Sequence, residues 1–422
     1  VNTVRGNRAR STRLAASSMR ASLAPSAATW VLAQQAAVRG LVAIKFLAIG
    51  RILGPAAIGS VSVALLAVAI AESLSDTGLA QAIVQGKDAP TRNELGAVFA
   101  TLVVRGLGVA LVLLALAPFM ASQFHLGRSL LPQMAAALPL VRGVASPGYY
   151  VAQRERRFSS LAAIEIGAAF ADCGVGLAFA LSGAGAYSVL VGMLLGEALK
   201  STLTWAALAP RPPLALRWSG IGHYIGFSRW IWAGSVVNLV LNQFDKIVVG
   251  RMLGPAQLGA YQMSSRLAQL LLADAAIALS QYLFPTFAAR HRTDANEAAR
   301  LFKRWLALGA GAAVLVVLAL RALAAPLFAL VLGPQWRPAV PLFRIFVVNM
   351  ALGALIAVLV AYLRARGDAR APAQASAMQV VVLIAVVPAA MHEWGVMGVA
   401  RGMTAGLATA GAWMLYRAFK SR

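Results

Sequence analysis

Twelve apolar runs, each long enough to cross a bilayer as a helix, follow one another along this chain. They are 26–49, 59–84, 95–121, 131–151, 159–181, 186–208, 224–249, 257–286, 304–332, 340–363, 373–391 and 395–417. A spanning helix needs about 20 apolar residues. Runs of that length must be helical in lipid, which offers no partner for backbone N–H and C=O groups. A transmembrane barrel would need alternating strands of about ten residues, and none occurs. Composition agrees: 60% of the 422 residues are hydrophobic, 12% are charged, and the mean hydropathy is +0.73. Soluble domains carry about 25% charged residues. The expectation is an all-α polytopic membrane protein of about twelve transmembrane helices. A soluble enzyme, a nucleic-acid module and a disordered scaffold are excluded.

The net charge of +24 invites a nucleic-acid reading, but its distribution argues for a membrane. With alternate loops on opposite sides, 23 Lys and Arg residues fall on one side and five on the other. The five are Arg51, Arg128, Arg251, Arg321 and Arg337. Basic residues collect in cytoplasmic loops, so both termini are expected in the cytoplasm and the span count is expected to be even. Residues 1–25 read as a basic cytoplasmic arm rather than a transit peptide, with Val1 as an alternative start or Met19 as the true one. The single cysteine, Cys173, lies in an apolar run and reads as a small buried hydrophobe.

The chain also repeats itself. Residues 50–59 read GRILGPAAIG and residues 250–259 read GRMLGPAQLG, an offset of 200. The same offset pairs Trp30 with Trp230, Ala33 with Ala233 and Leu41 with Leu241, giving 10 identities over positions 30–59. Six spans per repeat is an even number, so the halves are parallel, an arrangement of transporters with the binding site between halves. The expected organisation is a six-helix lobe at 26–208, a proline-rich cytoplasmic linker at 209–221 and a second six-helix lobe at 222–418.

Charges inside the spans point to the site. Ten are positive: Arg39, Lys45, Arg105, Arg142, Lys200, Arg229, Lys246, Arg266, Arg344 and Arg401. Seven are negative: Glu72, Asp76, Glu165, Asp172, Glu197, Asp245 and Asp274. Each would cost about 2.5–3.5 kcal/mol facing lipid, so most must face one another or water. Local spacing suggests a Glu197–Lys200 pair and puts Glu72 and Asp76 on one helix face. The surplus of three positive charges suggests an aqueous cavity that favours an anion. Arg142, Arg266 and Arg344 are the leading candidates to line it, then Arg39, Lys45 and Arg105. Glu72, Asp76 and Asp274 are candidate coupling or ion-pair acids. Pro139 and Pro147 bracket Arg142, and Pro388 sits in the eleventh run; broken helices tend to line cavities. No metal site, cofactor site or catalytic motif is present: His392-Glu393 lacks zincin spacing, and the glycines of 183–192 have no βαβ context.

These pieces resemble a known family. GRILGPAAIG followed by SLSDTGLAQAIVQ (73–85), GYYVAQRERRF (148–158), NQFDKIVVGRMLGPAQLGAY (242–261), LFPTFAARHR (283–292) and LGPQWRPAVPLFRIF (332–346) occur in order. Together they are similar to Wzx-type oligosaccharide flippases of the multidrug/oligosaccharidyl-lipid/polysaccharide exporter superfamily, over roughly residues 28–418. The resemblance implies translocation of a polyprenyl-diphosphate-linked oligosaccharide across a bacterial inner membrane, for surface polysaccharide synthesis. It also implies a cationic central cavity, no covalent chemistry, and membrane lipid and polysaccharide polymerase machinery as partners. Two alternatives remain at this stage: a drug/cation antiporter of the same superfamily, and a membrane-embedded glycosyltransferase or polymerase.

Overall fold

A computed structural model describes residues 27–420 except 77, 87 and 214–221; the side chains of 27–29, 222–233, 273–275, 277 and 278 are also outside the description. The basic arm and most of the linker therefore lie outside the described residues, as does the side chain of Asp274. Everything described is helix, turn or short connection.

The elements are α1 (Ala27–Leu74), α2 (Leu79–Gln85), α3 (Arg92–Gln123), α4 (Leu130–Ala135), α5 (Ala137–Gly143), α6 (Gly148–Arg154), α7 (Phe158–Leu181) and α8 (Tyr187–Ala207). The C-terminal half follows with α9 (Gly222–Thr293), α10 (Ala295–Val331), a 3₁₀ turn (Pro334–Ala339), α11 (Val340–Ala365) and α12 (Arg370–Lys420). Among the described residues, seven helices are long and apolar enough to cross a membrane. Their outer faces carry large apolar side chains with no protein cover: Leu181 is 77% exposed and Leu330 78%. Only lipid makes such a surface stable.

Three long helices are interrupted by a glycine. Gly54 (φ 75°, ψ 177°) breaks α1 and Gly254 (φ 81°, ψ 177°) breaks α9. Both precede a proline, so glycine supplies the positive φ and Pro55 or Pro255 starts the next helix. The sequence repeat is thus a structural repeat, down to the backbone angles. Gly395 (φ 55°, ψ −138°) divides α12 without a proline after it. There the chain doubles back, because Gly398 lies against Ala390, Gly402 against Val387 and Gly406 against Leu383.

Two of the apolar runs are broken within. The second run stops at Leu74 and resumes at α2: the Ser75 hydroxyl donates to the Glu72 carbonyl, the Asp76 carboxylate accepts from Gly78 N–H, and Gly78 has φ 64°. The fourth run is three short helices, α4 to α6, with breaks around Ala136 and around 144–147. That fits the proline spacing around Arg142. Two other helix starts carry side-chain caps. Thr91 and Glu94 form a reciprocal capping box at α3, and Asp294 caps α10.

The two halves meet at the hairpin tips. A Cβ on Gly59 would sit 1.7 Å from the Pro255 carbonyl oxygen, and a Cβ on Gly259 would sit 1.9 Å from the Pro55 carbonyl oxygen. The reciprocity puts a two-fold axis between the repeats, with backbone pressed on backbone as only glycine allows. Trp336 Nε1 donates to the Gly50 carbonyl (2.9 Å) and Gln335 Nε2 to the Arg51 carbonyl (2.7 Å), tying the 3₁₀ turn to the first tip. The largest buried cluster joins both halves here, with Ile49, Ile58, Val63 and Leu66 packed among Leu258, Tyr261, Met263, Phe343 and Trp336. Away from the tips each buried cluster belongs to one half. Phe287, Phe302 and Tyr362 form one, with Phe302 and Tyr362 stacked at 4.0 Å; Leu79, Ile83, Leu95 and Val151 form another.

Candidate functional site

Separation away from the tips leaves polar space in both halves. In the N-terminal half a cavity of about 400 Å³ is lined by Glu72, Asp76, Arg105, Pro139, Arg142 and Tyr150, with Ser235 reaching in from the other half. The broken α1–α2 junction delivers Glu72 and Asp76, and the end of the short helix α5 delivers Arg142. Arg142 is held from two sides. Its Nε donates to Glu197 (2.8 Å), and its Nη1 donates to both oxygens of Glu72 (3.1 and 2.8 Å). Arg105 reaches the Ser75 hydroxyl (3.0 Å) and the Glu72 carbonyl (2.8 Å). Asp76 spans the halves, accepting from Ser235 at 3.4 Å.

Behind Arg142 lies a smaller cavity of about 140 Å³, lined by Glu165, Asp172, Glu197 and Lys200. Lys200 pairs with Glu165 (2.6 Å), which also accepts from the Tyr149 hydroxyl (2.7 Å). Lys45, 7% exposed, pairs with Asp172. The local Glu197–Lys200 pair expected from spacing is not formed; Glu197 binds Arg142 and Lys200 binds Glu165 instead.

A cavity of about 240 Å³ in the C-terminal half is lined by Asp245, Lys246, Arg266, Gln269 and Asn349, among others. Asp245 stands at the position equivalent to Lys45 under the 200-residue offset. It too is buried, accepting the Tyr261 hydroxyl at 2.6 Å. Arg266 Nη1 donates to Gln269 (2.8 Å), and Lys246 to Gln243 (3.1 Å).

The structure thus distributes the six candidate cations. Arg105 and Arg142 share one cavity and Arg266 lines another. Lys45 is locked in its pair with Asp172, Arg39 is exposed on α1, and near the start of α11 the Arg344 Nε donates to the Arg321 carbonyl while the Arg321 Nη1 donates to the Arg344 carbonyl. Of the acids, Glu72 and Asp76 line the larger cavity together. That cavity carries two acids and two arginines among its described lining, so its charge is balanced. Asn349, Gln262, Ser265 and Gln269 were missed by a count of charges. Their signal was uncharged polar residues at the same depth of an apolar run as the charges.

Such helices, with polar cavities and a two-fold pairing of halves, define an integral membrane protein. The family described as "Polysaccharide biosynthesis protein" matches residues 48–341, and the chain belongs to it, within the multidrug/oligosaccharidyl-lipid/polysaccharide superfamily. The lipopolysaccharide biosynthesis protein WzxC of Escherichia coli is 23% identical over 328 residues, 76% of this chain and 66% of that protein. The succinoglycan biosynthesis transport protein ExoT of Rhizobium meliloti is 23% identical over 342 residues, 80% of this chain and 68% of that protein. The teichuronic acid biosynthesis protein TuaB of Bacillus subtilis is 21% identical, with 58% of its length aligned. The chain thus spans about two thirds, or less, of the length of these relatives. In fold it is similar to the lipid II flippase MurJ in an inward closed conformation, with a TM-score of 0.73 at 12% identity over 92% of this chain and 87% of that one. An outward-facing multidrug resistance MATE family transporter matches at TM-score 0.56 and 14% identity, over 93% and 96% of the two chains. By family the chain is an integral membrane protein of polysaccharide biosynthesis.

Proposed function

We propose that the chain is a flippase that carries a polyprenyl-diphosphate-linked oligosaccharide from the inner to the outer leaflet of a bacterial inner membrane. The observation that carries the reading is the asymmetry between the two ends of the molecule. The repeated tips cross at Gly59 and Gly259 in one shared core, whereas the far ends pack separately around arginine-bearing cavities. Division at Gly54, Gly254 and Gly395 supports twelve spans in two parallel six-helix lobes, at 26–208 and 222–418, joined by the 209–221 linker. With the basic loops and both termini in the cytoplasm, the tips face outward and the cavities load from inside.

Transport then needs the halves to rock about the cavities, parting the tips and closing the far ends. Arginine suits the cargo because its planar fork matches phosphate oxygens. The sugars travel in the wet cavity while the prenyl tail stays in lipid. Family membership and the names of WzxC and ExoT support the reading.

The test is genetic. In a strain lacking any other flippase of this kind, deletion should abolish a surface polysaccharide and leave its lipid-linked unit on the cytoplasmic leaflet. Unchanged polysaccharide would contradict the reading. A second reading, export of a cationic compound, draws on the acid-rich smaller cavity of Glu165, Asp172 and Glu197. It predicts drug sensitivity, rather than polysaccharide loss, in the same strain.

A further inference from the structure

Arg142 is held by two carboxylates that approach it from different cavities. Glu72 lines the 400 Å³ cavity with it, whereas Glu197 lines the smaller space behind. The carboxylates also take different donors, Nη1 for Glu72 and Nε for Glu197. A guanidinium offers paired donors in two ways: Nε with one Nη, or the two Nη together. Each carboxylate occupies one donor of a different pair. A phosphate arriving in the larger cavity therefore finds no complete fork on Arg142 unless one carboxylate leaves.

The carboxylates are not equivalent with respect to that arrival. Glu72 stands on the cavity side, at the end of α1, where the helix stops and the chain turns through 75–78. Glu197 sits within the continuous helix α8, behind the guanidinium. We propose, building on the diphosphate reading above, that Glu72 is an internal surrogate for the substrate phosphate and that Glu197 is a positioning residue. Glu72 holds the site closed to weakly charged ligands and yields to a diphosphate. Glu197 keeps Arg142 aligned while the exchange occurs. Arg105, fixed against the Ser75 hydroxyl and the Glu72 carbonyl, is the second cation within the same cavity and takes the second phosphate. Exchange on Arg142 makes the site selective for a diphosphate, because a single phosphate must displace Glu72 from Arg142 without also reaching Arg105.

The experiment measures binding of farnesyl diphosphate and farnesyl monophosphate to the full chain purified in detergent. Glu72→Gln should tighten the diphosphate about tenfold and tighten the monophosphate by more, narrowing the preference between them. Glu72→Asp, which withdraws the carboxylate but keeps its charge, should move both in the same direction by less. Glu197→Gln should weaken both about tenfold. Asp76→Asn removes an acid of the same cavity that does not touch Arg142, so it should tighten both ligands by less than Glu72→Gln does and leave the preference between them as in the wild type. Should the wild type bind diphosphate while Glu72→Gln and Glu72→Asp match it, the surrogate role is overturned and the diphosphate reading stands. An Asp76→Asn effect as large as that of Glu72→Gln would overturn the role too, leaving general electrostatics. If neither wild type nor Glu72→Gln binds the diphosphate, the diphosphate reading falls, and the surrogate role with it. Unfolding of Glu72→Gln, seen by size exclusion, leaves Glu72→Asp to decide.

Discussion

Lys45 is buried against Asp172, with the Cε of the lysine packed beside Gly176. Breaking a buried pair on one side leaves an uncompensated charge and costs about 3–5 kcal/mol, while replacing both partners by apolar groups is often tolerated. Lys45→Met alone should therefore reduce the folded protein in the membrane several-fold, and Lys45→Met with Asp172→Leu should restore most of it. In-gel fluorescence of a tagged protein measures both; equal loss in the double variant would mean that Lys45 acts on something besides Asp172. That these side chains needed partners was legible from their place in apolar runs. Which partner each takes was not, because helix spacing ranks only neighbours on one helix. Glu197 reaches Arg142 and Lys200 reaches Glu165, each across a helix interface that packing alone decides. The same limit explains why six candidate cations scatter over several environments.

The hairpin tips are the elements that join the halves. Their glycines at 59 and 259 admit no side chain, since each faces a carbonyl oxygen at less than 2 Å from where a Cβ would be. Gly59→Ala must push the tips apart, and overpacking of this kind costs about 1–3 kcal/mol. Thermal unfolding in detergent should fall by several degrees, whereas Gly40→Ala, with nothing within 4 Å, should leave it unchanged. Equal midpoints for both variants would remove the tip crossing from the account. A second connection responds to pH. Burial acts to raise the Asp368 carboxyl, but hydrogen bonds from Arg417 and the Ala371 N–H, with the nearby Arg417 and Arg366 charges, hold it below the usual carboxylate range. Stability from a depressed carboxylate is present above its unfolded pKa and is lost as pH falls through the folded value. The difference between wild type and Asp368→Asn in unfolding midpoint should thus be full at pH 7 and shrink below about pH 4; a constant difference would show that the clasp is not ionic. The tips were readable in advance, because the ordered GRxLGP block recurs and Gly-Pro fixes a turn. Pro139 and Pro147 likewise announced the broken fourth run. The break after Leu74 was hidden, since Ser, Asp and Gly punctuate there only through their hydrogen bonds in a stretch whose apolar pattern simply continues.

At the scale of the whole molecule, the 23-to-5 distribution of basic residues and the shared core at the tips make one joint prediction. Reporter fusions after Arg157 and Arg304 should be cytoplasmic, and fusions after Gly127 and Gly333 periplasmic; an outward-facing reporter at Arg304 would break the twelve-span arrangement. The general architecture could be read in the sequence because lipid permits so few backbone solutions. Which end is joined could not, as it depends on contacts between residues about 200 positions apart. The proposed activity is movement of a lipid-linked diphosphate sugar. Its most direct measurement uses vesicles that contain a prenyl-diphosphate-linked oligosaccharide and the purified chain, with a sugar-binding protein outside to capture units that cross. A flippase should give faster capture than empty vesicles, and Arg142→Gln incorporated to the same level should give a rate near that of empty vesicles. Capture by the wild type no faster than in protein-free vesicles would contradict that activity.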